Sequence, residues 1–240
     1  MLLLVGCLLF LIFSKMVVNE VIPSKDTPDF SRLFDYVDRN AKLDPSGIAI
    51  IEHDTGDRIS WSDLSLRSCA FAAQLLSFGI GYGDLVLTQL PALKEHIYLF
   101  LACCRIGAIF CPLDLRIRGT EFRDAFMKVK PKAFFFLGKT EVFDFRPMIS
   151  EIMSSTDAPS FCTLWVQFQK ETDLIIKHDN VRVYGVVEFA SNIKVQYLLR
   201  WLTGQLWWKS WWVTGEEPAV IIFTTGSTGV PKPAVVTQHS

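Results

Sequence analysis

Four short apolar runs limit what this chain can fold into. Residues 85–90, 133–137, 161–166 and 219–224 are mostly apolar and lack the polar–apolar alternation of a half-wet strand. A strand that is apolar on both sides needs a cover on both sides. Stretches with helical periodicity lie between the runs. Together they call for an α/β fold, a mostly parallel sheet layered with helices.

The helical stretches follow from spacing. Phe30, Leu33, Phe34 and Val37 recur at i, i+3, i+4 and i+7 and predict a helix over 30–42. Ser62 can cap a helix to about residue 78, with Leu64, Cys69, Ala72, Ala73 and Leu76 on one face. Further helices are expected over 93–105, 120–129 and 193–202, with a short strand at 108–110. Residues 48–51, the turn Asp54-Thr55-Gly56-Asp57, and Ile59 with Trp61 read as a β-hairpin.

Composition narrows the function classes. The chain has 240 residues, half of them hydrophobic, enough to build a core. Lys+Arg number 24 and Asp+Glu 25, a net charge of −1, so no global field favours a nucleic acid. None of the six cysteines forms a C-x-x-C pair or has a histidine at zinc spacing, so no metal site is expected from them. Such cysteines fit a reducing, cytoplasmic setting.

Two segments stand apart. Residues 2–13 are an unbroken apolar run, about 18 Å long as a helix and short of the ~30 Å needed to span a bilayer. It reads either as a membrane-associating anchor or as an extension upstream of a start at Met16, with a cleaved signal peptide a third reading. Farther on, Trp201, Trp207, Trp208, Trp211 and Trp212 crowd together. They suit either a membrane interface or a hydrophobic helix–loop packed on the sheet.

Chemistry concentrates in residues 221–232, Ile-Ile-Phe-Thr-Thr-Gly-Ser-Thr-Gly-Val-Pro-Lys. An apolar strand feeds a loop in which Gly226 and Gly229 let the backbone approach a ligand. Thr224, Thr225, Ser227 and Thr228 add hydroxyl donors, and Lys232 adds a positive charge. Such a loop suits phosphate oxygens. It is not a Walker A loop, because Lys232 follows Pro231 and the glycine spacing differs.

This segment resembles the phosphate-loop signature of the adenylate-forming, AMP-binding superfamily of acyl-CoA synthetases, luciferases and peptide-synthetase adenylation domains. Residues 56–64, 79–86 and 105–114 are similar to other motifs of that family. The resemblance runs from about residue 30 to 240 and is weakest over 140–217. It implies a partial N-terminal large domain at 30–240, after an apolar segment at 1–15 and a linker at 16–29.

The resemblance further implies ATP-dependent activation of a carboxylic acid to an acyl-adenylate, with Mg2+, and then thioester formation with coenzyme A. A fatty-acid-like substrate is favoured. Thr224, Thr225, Gly226, Ser227, Thr228, Gly229 and Lys232 become the phosphate-binding set, with Thr225 and Thr228 making direct hydroxyl contacts. The family's catalytic lysine would lie beyond Ser240, so the chain is expected to be an inactive fragment with an exposed sheet edge and marginal stability. Two departures stand out. Pro233 replaces the usual glycine after the loop lysine. Gln238 occupies the usual place of a histidine, which leaves His239 as the candidate substrate-binding residue, in a helix expected to begin after the loop. Two other readings remain: a non-catalytic, membrane-peripheral binding module that keeps part of the fold, and an adenylation domain that feeds a carrier protein.

Overall fold

The computed structural model describes residues 32–155, 157–169, 171–206, 212–224 and 232–238. The first helix is α1, Leu33–Leu43, followed by a two-stranded antiparallel hairpin of β1, Ile48–Ile51, and β2, Arg58–Ser60. Helix α2, Trp61–Ser77, begins two residues earlier than a cap at Ser62 would place it. Its N-cap is Ser60, whose hydroxyl accepts from the amide of Asp63 at 3.1 Å.

The main sheet begins with β3, Leu85–Gln89, α3, Lys94–Ile106, and β4, Ile109–Pro112. Helix α4, Gly119–Val129, leads to β5, Ala133–Leu137. Helices α5, Arg146–Met153, and α6, Ala158–Phe161, precede β6, Leu164–Phe168, and then β7, Val183–Gly185. Helices α7, Val186–Ala190, and α8, Ile193–Leu202, lead to β8, Pro218–Thr224, and β9, Lys232–Thr237. The seven strands lie in the order β7-β6-β5-β3-β4-β8-β9. Every pair is parallel except β8 with β9.

The continuous apolar runs now have a cause. In β5, Phe135 faces a layer built from α2, α3 and α7, while Phe134 and Phe136 face a layer built from α4 and α5. All three rings are fully buried, at roughly 1.5–3 kcal/mol of burial each. In β6, Val166 and Trp165 divide between the same two layers. Gly107 ends α3 at φ 71°, where a side chain would meet Tyr82 at 2.5 Å.

A buried ion pair ties α1 to α3. Arg105 Nη1 donates to Asp38 Oδ2 at 2.8 Å and its Nε to Ser68 Oγ at 3.0 Å, while Ser65 Oγ donates to Asp38 Oδ1 at 2.6 Å. Burial pushes the Asp38 carboxyl up, but Arg105 and Ser65 outweigh it and hold it below the usual value.

Besides the earlier start of α2, which takes Trp61 out of the hairpin, the structure departs from the sequence reading in two places. The run at 161–166 is not one strand: Phe161 closes α6, Cys162 and Thr163 turn the chain, and pairing begins at Leu164. More important, the segment after the loop is a strand and not a helix. Pro233 lacks the amide a helix interior needs, and Val235, Val236 and Thr237 are β-branched, which favours extended backbone.

Candidate functional site

The parallel strands all end on one side of the sheet. In open α/β sheets ligands bind beyond those carboxyl ends, where neighbouring strands send their connections to opposite faces. That reversal occurs here at β3. Its connection runs to α3 on one face, while those of its neighbours β4 and β5 run to α4 and α5 on the other.

Polar residues at the ends of β3 and β4 shape this edge. Gln89 is fully buried at the end of β3, and its Nε2 donates to the carbonyl oxygens of Ile117, at 2.9 Å, and Asp114, at 3.3 Å. It thereby holds the loop that follows β4. Thr88 Oγ1 lies 2.8 Å from His96 Nε2 at the start of α3. Burial lowers the His96 pKa, partly offset by the Pro91 carbonyl. On the loop after β4, Asp114 and Arg116 form a 2.6 Å ion pair, which with the Arg116 amide brings the Asp114 carboxyl down to about 2. The Arg118 guanidinium sits 3.7 Å from the centre of the Phe143 ring, joining the loops after β4 and β5. Sequence reading passed over Thr88 and Gln89. The usable signal was two polar residues inside a run that otherwise reads as buried.

The glycine- and hydroxyl-rich segment leaves the sheet at this same edge. β8 runs parallel to β4 through the pair Phe110–Val220, so Thr224 ends β8 on the carboxyl side. β9 returns antiparallel, and its first residue, Lys232, pairs with Thr224. The structure thus brings together the two ends of the expected phosphate-binding set. Thr225, Gly226, Ser227, Thr228 and Gly229 lie outside the described residues, as does His239. Pro233 takes the place opposite Phe223 on an edge strand, where a missing amide is tolerated.

Gln238 has a structural task. Its Nε2 donates to the Cys104 carbonyl at 3.1 Å and its Oε1 accepts from the Leu33 amide at 3.3 Å. This anchor lies past the end of β9, which runs away from the loop for six residues, or ~20 Å. Among the described residues no group of three or more His, Cys, Asp or Glu comes together as a metal site. No helix among them is long and apolar enough to cross a membrane.

Comparison with known proteins gives this architecture a family. The model of the AMP-binding enzyme family matches residues 37–240. The chain is 27% identical to an acetyl-coenzyme A synthetase of Methylobacillus flagellatus over 215 residues, 86% of this chain and 30% of that protein. It is 27% identical to a medium-chain fatty-acid–CoA ligase of Escherichia coli over 216 residues, 87% of this chain and 33% of that protein. A solved Mycobacterium tuberculosis fatty acyl CoA synthetase superposes with a TM-score of 0.61 at 18% identity, over 87% of this chain and 35% of that one, which shows the shared fold. The chain spans about a third of the length of these relatives. It belongs to the AMP-binding enzyme family.

Proposed function

We propose that the chain supplies the phosphate-holding part of an ATP-dependent acid–thiol ligase. In that reaction a carboxylate oxygen attacks the α-phosphorus of ATP and pyrophosphate leaves. A thiol, here coenzyme A, then attacks the acyl carbon of the acyl-adenylate and AMP leaves. The observation that carries the reading is the Thr224–Lys232 pair, which puts both ends of a phosphate-type loop at the carboxyl edge of a parallel sheet.

In this reading Thr225, Gly226, Ser227, Thr228 and Gly229 supply amides and hydroxyls to the β- and γ-phosphates. Lys232 offsets the charge that builds on the departing pyrophosphate. Mg2+, when present, would share that charge and be held chiefly by the phosphates themselves, as small hard cations commonly are. Gln89 and Arg118 fix the neighbouring loops. Gln238 is left out of the site, because it is anchored beyond the far end of β9, and His239 keeps its place as the candidate contact for the acid.

Two finer assignments belong to the proposal, one from a relative's name and one from the cysteines. The acid is fatty-acid-like, as in the medium-chain ligase. The setting is cytoplasmic, in keeping with Cys103, Cys104, Cys111 and Cys162, which are buried free thiols, Cys111 raised by burial to about 12. Residues 30–240 form part of a larger domain, and 16–29 link it to the apolar segment at 1–15.

A fluorescent ATP analogue tests the proposal. The 240-residue chain should bind it, and Lys232→Ala should weaken binding roughly tenfold or more, the loss expected of one charged hydrogen bond. ATP–pyrophosphate exchange by this chain should stay at background. Equal affinity in wild type and Lys232→Ala would refute the phosphate assignment.

A further inference from the structure

Helix α8 is apolar on the wrong side as well as the right one. Its inner face packs Ile193 and the buried Tyr197 against the α2 layer, and Arg200 Nε donates to the Ala73 carbonyl at 3.2 Å. Its outer face carries Val195, Leu199 and Leu202 at i, i+4 and i+7, which are 55%, 50% and 63% exposed. A surface helix normally turns polar residues outward, and an outward apolar stripe marks an interaction face.

The surrounding composition indicates what covers that stripe. From Phe189 to Gly215 the chain contains no Asp or Glu, three cations (Lys194, Arg200 and Lys209) and five of its seven tryptophans. One of these, Trp212, is 65% exposed. Apolar side chains, indole rings and cations without acids together fit an anionic lipid surface. There, leucines enter the acyl boundary, indoles sit at headgroup depth and exposed cations such as Lys194 meet phosphates, while Arg200 is engaged with the Ala73 carbonyl. A protein partner would not need the tryptophan enrichment and the exclusion of acids together.

We propose that the outer face of α8, continued by Trp212, docks this chain onto an anionic membrane surface without crossing it. The proposal is independent of nucleotide binding and stands or falls separately from it.

Co-sedimentation of the full chain with phosphatidylcholine vesicles, with and without phosphatidylserine, tests it. The chain should pellet with the anionic vesicles and be released by salt. The double variant Leu199→Glu/Leu202→Glu should lower the partition coefficient roughly tenfold or more, with an unchanged far-ultraviolet circular dichroism spectrum. Leu8→Gln/Leu9→Gln in the full chain controls for the N-terminal run and should leave most of the binding. Failure to pellet, pelleting unaffected by the α8 variant, or pelleting abolished by the N-terminal variant alone would overturn the proposal. So would a concentration-dependent dimer that the α8 variant dissociates, since that would give the face to a second copy.

Discussion

Thr224 and Lys232 form the last pair of the β8–β9 ladder, so the loop between them starts and ends one strand spacing apart. Neighbouring strands lie ~4.8 Å apart. A loop closed at its base by a ladder has part of its ordering entropy already lost before a ligand arrives. Weakening the base should therefore act on nucleotide affinity even though no phosphate contact is removed. Pro233 shows that its side of β9 donates no amide to the ladder, and Val235 shares that side, so the test falls on the next position: Val236→Pro, opposite Val220, removes an amide on the side facing β8 and constrains the strand. We expect a drop in analogue affinity for Val236→Pro, with Val236→Thr, which keeps the extended preference, near wild type.

Gln238 should prove important for stability and unimportant for ligand affinity. Truncation to Ala strands the Leu33 amide and the Cys104 carbonyl, at about 1–3 kcal/mol for a buried group left unpaired. A loss of roughly 2 kcal/mol in urea unfolding is expected. Gln238→His, which restores the residue usual at this place in the family, should also destabilise, because the shorter, rigid imidazole sets its donor and acceptor nitrogens at other positions than the amide's.

The Asp38–Arg105 pair should behave as a unit. Asp38→Asn leaves the Arg105 guanidinium, only 8% exposed, without its counter-charge. Breaking one side of such a pair costs about 3–5 kcal/mol, whereas replacing both sides by apolar groups is often close to neutral. Asp38→Asn should therefore lower the urea midpoint strongly, and Asp38→Leu/Arg105→Met should recover most of the loss. Additive effects of the two single changes would show that the residues act independently.

The sheet is legible in the sequence because its strands are buried on both faces. No other placement suits Phe134, Phe135 and Phe136 in a row. Helix α8 matches its periodicity from Ile193 to Leu202. The phosphate-type loop is legible because its order of glycines, hydroxyls and lysine is particular. The strand after that loop is only partly legible: Pro233 and the β-branched 235–237 oppose a helix, but β9 lies at the sheet edge and takes its register from β8 and not from a local repeat. The short elements α6, β7 and α7 escape sequence reading because three to five residues carry too little periodicity. Gln89 escapes it because its importance lies in two carbonyls 25 and 28 residues away.

His96 should give the fold a pH-dependent component of stability. Its ring lies 5.2 Å from that of Phe110, with Nε2 against Thr88, at the start of α3 where the helix dipole opposes a positive charge. Burial lowers its pKa below the usual 6.5, and the Pro91 carbonyl offsets only part of that. The unfolded chain therefore binds a proton near pH 6.5 that the folded chain accepts only at lower pH. Between those values the unfolded state holds more protons, so stability rises with pH. The contribution is fully present above pH 6.5 and is lost as pH falls toward the folded pKa. Urea midpoints should drop as pH falls below 6.5 in the wild type. The drop should be smaller in His96→Gln, whose amide can still reach Thr88 but does not titrate. An equal slope in the two proteins would assign the pH dependence to other groups.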